Sequence, residues 1–456
     1  MKKQCKVISA ILISCVLSIA ICKQAKAEVE IKDLSNVFDK VTVGGELDLF
    51  YRYDKNPWYG YSLRQLANDY GLAETWDDSP STHWGEIYAT LSFAATKNTP
   101  LAIITAKAGA MFTETIGQDV YPAFQDESSV ELDQAYIKFG KIGNGPIDLT
   151  IGRQNIRIEK KFVVGSGFQN PHAALWFAQP DSFAFAVRAD GNFGPLKSTL
   201  VWARSKDYVG IEGPEGPEGD PTLLGINLHY DFSETAYVYG GVYGKDEKDS
   251  DNGGVGNEND SISYDLGVDN TFGGLHLEGE YVYQTGKSGV NGDVDLDARA
   301  WFASATYSFD SVKLKPYVQA RYVFFSGDNP NTPDNEQYDT GFANTQYLSG
   351  ALVAEAQLID SNKKDMVFTV GFFPIESIDM RIEYLQHNFD QKETTIYGPL
   401  ASDDWATEVD LFVDWFVSDN LFVEFLLGKA MPGDAAKEVF GHEDAYQAYC
   451  FMSFSF

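Results

Sequence analysis

The chain has 456 residues and is strongly acidic, with 66 Asp and Glu against 35 Lys and Arg and a formal net charge of −31. A surplus of this size excludes nucleic-acid binding through general electrostatics. Aromatic residues make up 14% of the chain, and after the amino-terminal segment no stretch approaches the roughly 18 consecutive apolar residues of a membrane-spanning helix. These features exclude a helical membrane protein.

The amino-terminal segment has the pattern of a secretory signal peptide. Three lysines precede an apolar run over 7–21, and an A-x-A cleavage motif ends at Ala27. Three of the four cysteines lie in this segment, so Cys450 alone would remain, and neither a disulfide framework nor a cysteine metal site is expected. We expect a signal peptide over 1–27, a single domain over 28–456, no cofactor and no bound metal.

After this segment the chain consists of short stretches in which apolar and polar residues alternate. In the first stretch Leu47, Leu49 and Tyr51 share one face, and Glu46 and Asp48 share the other. A barrel strand presents one face to lipid and the other to water, so this pattern predicts membrane-spanning β-strands. The last stretch ends in a phenylalanine, which resembles the carboxyl-terminal signature of bacterial outer-membrane proteins.

The fold predicted from these stretches is all-β, a transmembrane antiparallel barrel of about 18 strands. Short turns alternate with longer polar loops, as in barrels with short periplasmic turns, and an even strand count would place both termini in the periplasm. The predicted strands lie near 41–53, 82–96, 100–113, 130–140, 146–161, 181–190, 196–206, 222–232, 235–245, 261–271, 274–286, 296–309, 312–326, 366–374, 377–388, 405–417, 420–429 and 446–456.

Two of the predicted loops raise functional questions. The loop over 327–365 contains ALVAEAQLI, which predicts a short helix or an infolded plug. The acidic loop over 245–261 is either a solvated surface or a site where divalent cations bridge to anionic lipopolysaccharide, and its spacing matches no EF-hand.

Positive charge is concentrated in the strand predicted over 146–161. The polar phase of this strand directs Arg153, Asn155, Arg157, Glu159 and Lys161 into the lumen. Its apolar phase directs Ile156, Ile158 and Phe162 to the lipid, and Lys160 falls in the same lipid phase, where we expect the strand to leave the membrane.

We predict that basic residues of the inner face line the pore and contact the solute. The predicted pore-lining and solute-binding residues are Arg153, Arg157, Lys161, Asn155, Arg188, Lys107, Lys138, Arg321 and Arg381. Rings of charge on low-dielectric walls select ions and orient charged solutes. The alternative is that these charges form a ladder of ion pairs that braces the wall, and both interpretations remain open.

Three stretches resemble alginate-export-type outer-membrane porins. They are ELDQAYIKFGKIGNGPIDLTIGRQNIRIEKKFVVG, ARYVFFSGDNPNTPDNEQYDTGF and ATEVDLFVDWFVSDNLFVEFLLGKAMPGDAAK. The resemblance implies a monomeric 18-stranded barrel through which an anionic polysaccharide or another polar solute diffuses past a basic constriction. Arg153 and Gln154 occupy the matched G-R-Q positions. Gln154 falls in the outward phase of the strand, which predicts a structural role for it. The acidity of this chain departs from the pattern of the family. The resemblance therefore supports the export architecture better than it supports alginate as the solute.

The predicted function is a passive outer-membrane channel for hydrophilic solutes, anionic ones in particular, with an exopolysaccharide export conduit as one form. The alternatives are a general small-solute porin and a barrel sheath around periplasmic or surface electron carriers. No enzyme is expected, because none of the six histidines accompanies a nucleophile signature. The expected partners are outer-membrane lipid, lipopolysaccharide and the solute. Import and export stay equally open.

Overall fold

The computed structural model describes residues 29–30, 37–61, 81–118, 128–167, 182–205, 221–247, 260–289, 294–353 and 361–456. The predicted signal peptide, residues 248–259 of the acidic 245–261 loop and the last six residues of ALVAEAQLI lie outside the described residues.

Eighteen of the described strands form a closed antiparallel β-barrel and pair in chain order, and a further two-residue strand, Val29–Glu30, pairs with Val43 and Thr42 of the first barrel strand. The last strand pairs with the first from Tyr446↔Lys55 to Ser455↔Glu46, and this pairing closes the barrel. The strands are β1 Lys40–Lys55, β2 Ser81–Asn98, β3 Ile103–Gln118, β4 Ser128–Gly140, β5 Ile147–Asn155, β6 Ser182–Phe193, β7 Leu196–Arg204, β8 Thr222–Ser233, β9 Ala236–Asp246, β10 Asp260–Phe272, β11 Leu275–Ser288, β12 Val294–Ser308, β13 Tyr317–Phe325, β14 Lys363–Ile375, β15 Ile378–Phe389, β16 Asp404–Ser418, β17 Leu421–Pro432 and β18 Ala445–Ser455.

The predicted fold class is confirmed, and all eighteen predicted stretches contain a strand. The two ends of the barrel differ, as predicted, in the length of their connections. Eight short turns lie at one end, which we call the short-turn end, and the longer connections lie at the long-loop end. One connection at the long-loop end, residues 289–293, is short. It is short because β11 and β12 extend further than their alternation indicated. Among the described residues no helix is long and apolar enough to cross a membrane.

Alternation along each strand separates an exposed apolar face from a covered inner face. On β8, Leu224 and Leu228 are 59% and 48% exposed, whereas Leu223 and Asn227, the residues just before them, are 1% and 4% exposed. Strands with this pattern bury one face and leave the other for lipid. The inner face is therefore the side on which polar residues and infolded segments meet.

The prediction for the fifth strand was wrong beyond residue 155. Ile156, Ile158 and Phe162 do not face lipid, and they are buried in clusters with inner-face residues. The strand ends at Asn155, three residues after Gly152, whose φ of +126 and close approach to the Ala135 carbonyl only glycine adopts without strain. Beyond it the chain turns into the lumen instead of continuing in the wall.

Membrane burial of the apolar face predicts a depth-dependent effect of charge. Val370 lies near the middle of β14 and is 59% exposed, so Val370→Arg should lower the free energy of unfolding by about 2–4 kcal/mol. Ile375, 57% exposed at the end of the same strand, is the matched control, and Ile375→Arg should cost about 0–1 kcal/mol. Urea unfolding in lipid vesicles measures both, and equal costs at the two positions would contradict a lipid-facing β14.

Candidate functional site

Two segments fold from the wall into the lumen and join each other there. One, residues 156–167, leaves the wall after β5, and the other, residues 338–353, belongs to the long connection between β13 and β14. Their backbones are hydrogen-bonded, with the Gly165 amide donating to the Phe342 carbonyl at 2.7 Å. We call the joined pair the crosspiece.

Aromatic rings of the crosspiece pack against inner-face rings on separate parts of the wall. The Phe162 ring centroid lies 5.2 Å from that of Phe325 and 5.6 Å from that of Phe302, on β13 and β12. The Phe342 ring lies 5.3 Å from that of Phe183 on β6. All five rings are nearly or completely buried. Burial of a side chain of this size contributes about 1.5–3 kcal/mol, so these rings account for much of the inward fold.

Lys160 of the first segment pairs with two acids of the wall. Its ammonium group contacts the carboxylates of Asp269 and Glu278 at 2.6 and 2.8 Å, near the short-turn ends of β10 and β11. With His276, these acids would have the ligand set of a metal site, but they face the Lys160 ammonium instead. The prediction that Lys160 lies in the lipid phase was therefore wrong.

Glu159 connects the same segment to β8. Its carboxylate accepts a hydrogen bond from the Asn227 amide at 2.6 Å and lies 3.2 Å from His229 Nδ1. Glu159 and Lys160, which are adjacent in one turn, thus bind different parts of the wall, Glu159 on β8 and Lys160 on β10 and β11. This geometry requires the tight turn seen here, in which Glu159 and Lys161 both have positive φ.

Polar contacts hold the second segment against β9, β11 and β13. The Asp339 carboxylate pairs with Lys245 at 2.7 Å, and its carbonyl accepts a hydrogen bond from the Gln284 amide at 2.8 Å. Farther along, the Arg321 guanidinium donates to the Leu348 carbonyl at 3.2 Å. The segment therefore follows the inner wall from one side of the barrel to the other.

The segment ends in an apolar cluster at the long-loop end. Leu352 and Val353 are almost fully buried and pack in a cluster with Tyr59, Phe389 and Trp405. The crosspiece thus runs across the lumen from β5 to the strands β15 and β16. It is the infolded alternative predicted for the 327–365 loop, as far as residue 353.

A polar cavity of about 910 Å³ lies in the lumen beside the crosspiece, at the short-turn ends of β4 to β8. Glu159 forms part of its lining, together with Lys138, Lys141, Arg188 and Lys197. The bases are paired with acids in three contacts, namely Lys138–Asp148 at 2.7 Å, Arg188–Asp190 at 2.9 Å and Lys197–Asp231 at 2.8 Å. Their side chains are 27–49% exposed, so they also face the water of the cavity.

The structure distributes the predicted pore residues instead of gathering them in one ring. Lys138 and Arg188 share the cavity. On the opposite side of the barrel, the Arg381 guanidinium contacts the carboxylates of Glu383 and Asp414 and lies 4.0 Å from the centroid of the Phe412 ring.

The remaining predicted residues lie along β3, β5, the crosspiece and β13. Lys107 pairs with Tyr136 across the β3–β4 ladder, Arg153 donates to the Asp133 carbonyl at 2.9 Å, and Asn155 accepts a hydrogen bond from Ser182. Arg157 and Lys161 belong to the crosspiece, Arg157 with an exposed side chain and Lys161 with its ammonium 5.7 Å from the centroid of the Tyr347 ring. Arg321 is the β13 residue that binds Leu348.

Gln154 was predicted to face outward, and it is buried. Its side-chain amide donates to the carbonyls of Gly152 and Ala186 at 3.3 Å. Opposite it, Phe183 packs with Ile156 and Phe342 of the crosspiece. Asp148 lines the cavity and Thr150 is buried opposite Arg188, so Gln154, in the same phase of β5, belongs to the inner face.

Sequence alternation missed three basic residues of the lumen. Lys141 and Lys197 border short turns, where alternation assigns no face, and Lys160 lies in the infolded segment. The position of Lys141 and Lys197 beside short turns could have identified them from the sequence, because the strand ends at these turns converge on the rim of the lumen.

Comparison with known proteins agrees with this architecture. A family model described as alginate export matches residues 232–449, just under half of the chain. This match confirms the resemblance drawn from the sequence and includes two of its three stretches, while the stretch with G-R-Q lies outside the matched residues. No curated protein sequence matches the chain.

Solved outer-membrane porins share the fold. Pseudomonas aeruginosa OccK8 (OprE) is 12% identical with a TM-score of 0.58, and P. aeruginosa OccK5 (OpdH) is 11% identical with a TM-score of 0.56; both comparisons cover 92% of this chain and 98% of the other. Acinetobacter baumannii OccAB4 is 13% identical with a TM-score of 0.52, covering 91% and 98%. The fold indicates an outer-membrane protein, and together with the family match it supports an outer-membrane channel.

The Lys160 contacts predict a stability cost when the charge is removed. Lys160→Met leaves two carboxylates facing each other, and should lower the free energy of unfolding by about 1–3 kcal/mol, since the ammonium is only 24% exposed. Lys315→Met, which breaks an exposed pair with Glu376 at 3.5 Å, is the matched control and should cost less than about 0.5 kcal/mol. Urea unfolding in vesicles measures both, and equal effects would contradict a binding role for Lys160.

Proposed function

We propose that this outer-membrane β-barrel is a passive channel for hydrophilic solutes, and that anionic groups of those solutes bind in the cavity beside the crosspiece. The observation that carries the proposal is the cavity itself, a polar space of about 910 Å³ on the inner face of a closed barrel. A barrel of this strand number is wide enough for an aqueous path.

The exposed bases of the cavity support the proposed preference for anions. The lining contains four lysine and arginine side chains and the carboxylates of Asp148, Glu159 and Asp190, while Asp231, outside the lining, pairs with Lys197, so the formal charges balance. The side chains of Lys138, Arg188 and Lys197 are nonetheless 27–49% exposed, and each directs its remaining N–H groups to the water. Cationic groups exposed on walls of low dielectric attract anions.

We expect this protein to let solutes pass and not to catalyse a reaction. Among the described residues the most enclosed histidine is His387, and its two ring nitrogens face the carboxylates of Asp365 and Glu408. The nearby Ser349 hydroxyl accepts a hydrogen bond from Lys363. Both ring nitrogens of His387 face carboxylates, and Lys363 also lies 3.7 Å from the Asp365 carboxylate, so this arrangement favours a structural role over that of a base for a nucleophile.

The orientation and assembly of the barrel are part of the proposal. Short turns of outer-membrane barrels face the periplasm, so we assign the short-turn end and both termini to that side. The acidic long connections would then face lipopolysaccharide. We take the channel to be a monomer, as the resemblance implies. The crosspiece occupies space that a sheath around an electron carrier would need.

Export of an acidic polysaccharide is a second candidate function, and the family match over 232–449 favours it. A uronate polymer would reach the same cavity bases. If it does, oligouronates added at the short-turn side should block the single-channel current at lower concentration than neutral oligosaccharides of equal length. Equal block by both would leave the small-solute channel as the function.

Planar-bilayer conductance tests the channel and its selectivity. The purified protein should carry an ion current whose reversal potential in a salt gradient shows a weak preference for anions. Lys138→Ala combined with Arg188→Ala should lower the anion-to-cation permeability ratio roughly twofold, because the cavity loses two fixed cations. Lys313→Ala, on the exposed 309–316 turn, is the matched control and should leave it unchanged.

Two results would contradict the proposal in different ways. No current from a correctly folded barrel would exclude the channel. A cation preference that the double substitution leaves unchanged would retain the channel and exclude the anion-binding cavity. Arg153→Ala with Arg157→Ala, tested alongside, measures whether the bases near the end of β5 contribute to selectivity.

A further inference from the structure

One fully buried carboxylate of the wall faces the backbone of the crosspiece. The oxygens of Glu408, on β16, accept the amides of Leu352 and Val353 at 2.7 and 2.8 Å and that of Ala351 at 3.2 Å. Consecutive N–H groups that converge on an anion form the concave site known as a nest. Hydrogen bonds to an ionised acceptor are roughly twice as strong as neutral ones, so these contacts strongly favour one position of the segment.

The chain before the nest is shaped for this close approach. Gly350 has φ +81, a conformation that residues with a side chain rarely adopt. A Cβ atom there would lie 2.6 Å from the Leu385 side chain and 3.3 Å from a Glu408 oxygen. Only glycine lets the following three amides reach the carboxylate without displacing the wall.

The carboxylate is itself held from the wall side. His387 Nε2 lies 3.3 Å from a Glu408 oxygen, and His387 Nδ1 lies 2.9 Å from Asp365. Asp410, next on the same face of β16, accepts the Ala351 amide at 3.3 Å. The anchoring group is thus part of a chain of side chains on β14, β15 and β16, and it cannot turn away without breaking those contacts.

We propose that Glu408 is a positioning residue that fixes residues 351–353 across the lumen and thereby sets the width of the passage. The inference rests on the proposed channel function. The apolar contacts of Leu352 and Val353 could be made in many orientations of the segment. Three N–H groups directed at one carboxylate, in contrast, favour a single orientation of residues 351–353. Without the carboxylate the segment stays attached to the wall by its apolar side chains but shifts within the lumen.

Single-channel conductance in planar bilayers tests the proposal. Glu408→Ala should raise the conductance about twofold or more and should admit larger neutral polyethylene glycols, because a shifted segment widens the aqueous path. Glu424→Ala is the matched control, since it removes an acid of the neighbouring strand whose side chain is 15% exposed and which accepts a hydrogen bond from the Tyr449 hydroxyl at 2.6 Å, without contacting residues 351–353. It should leave the size cut-off unchanged.

A chemical probe reports the position of the segment independently of current. Ala351 is 3% exposed, so Ala351→Cys, introduced with Cys450→Ser, should react slowly with a membrane-impermeant maleimide. Adding Glu408→Ala should accelerate the labelling about tenfold or more, as expected when a buried group becomes exposed. Adding Glu424→Ala should not. The shift in electrophoretic mobility on heating shows that each variant is folded.

A second variant covers the case in which Glu408→Ala does not fold. Gly350→Ala displaces the same amides from the other side, retains Glu408, and should raise the conductance and the labelling rate as well. Folded variants with unchanged cut-off and unchanged labelling would overturn the positioning role. Accelerated labelling without current from any variant would support the anchoring of 351–353 and contradict the channel, so the two proposals fail separately.

Discussion

The structure depends on the need to pair every backbone N–H and C=O group of a wall that lies in hydrocarbon. An open sheet would leave two edges unpaired, and closure between Lys40–Lys55 and Ala445–Ser455 removes both. Closure also separates two environments along every strand. The outer face must be apolar, whereas the inner face may hold charges, bound water and folded loops. Both the cavity and the crosspiece exist because the barrel creates this second environment.

The lumen reconciles the two interpretations of its basic residues. Lys138 and Arg188 are paired with the acids Asp148 and Asp190, as a bracing ladder requires. The same bases remain partly exposed to a polar cavity, as solute contact requires. A buried ion pair loses more in desolvation than it gains unless its geometry is excellent, but a pair at the edge of water avoids most of that cost. One residue can therefore brace the wall and meet the solute.

The crosspiece divides its stabilisation between two kinds of contact. Phe162, Phe342 and Leu352 bury apolar surface and supply most of the energy, but such contacts tolerate sliding. Directional contacts at Lys160 and Glu408 determine where along the wall the segments lie. Joined by backbone hydrogen bonds, the two segments form one structural unit, although more than 170 residues separate them in the chain.

The sequence by itself determined the barrel, its strand number and most strand positions, because a period of two is repeated wherever a wall separates lipid from water. It could not determine where a chain leaves the wall. Ile156 and Ile158 alternate with polar residues as strand residues do, yet they pack on the inner face, and only their contacts with Phe342 and Phe183 decide this. The cavity and the Glu408 nest likewise join residues distant in sequence. Apolar packing has no sequence period when its partners come from other strands, so tertiary structure alone decided the inside of the barrel.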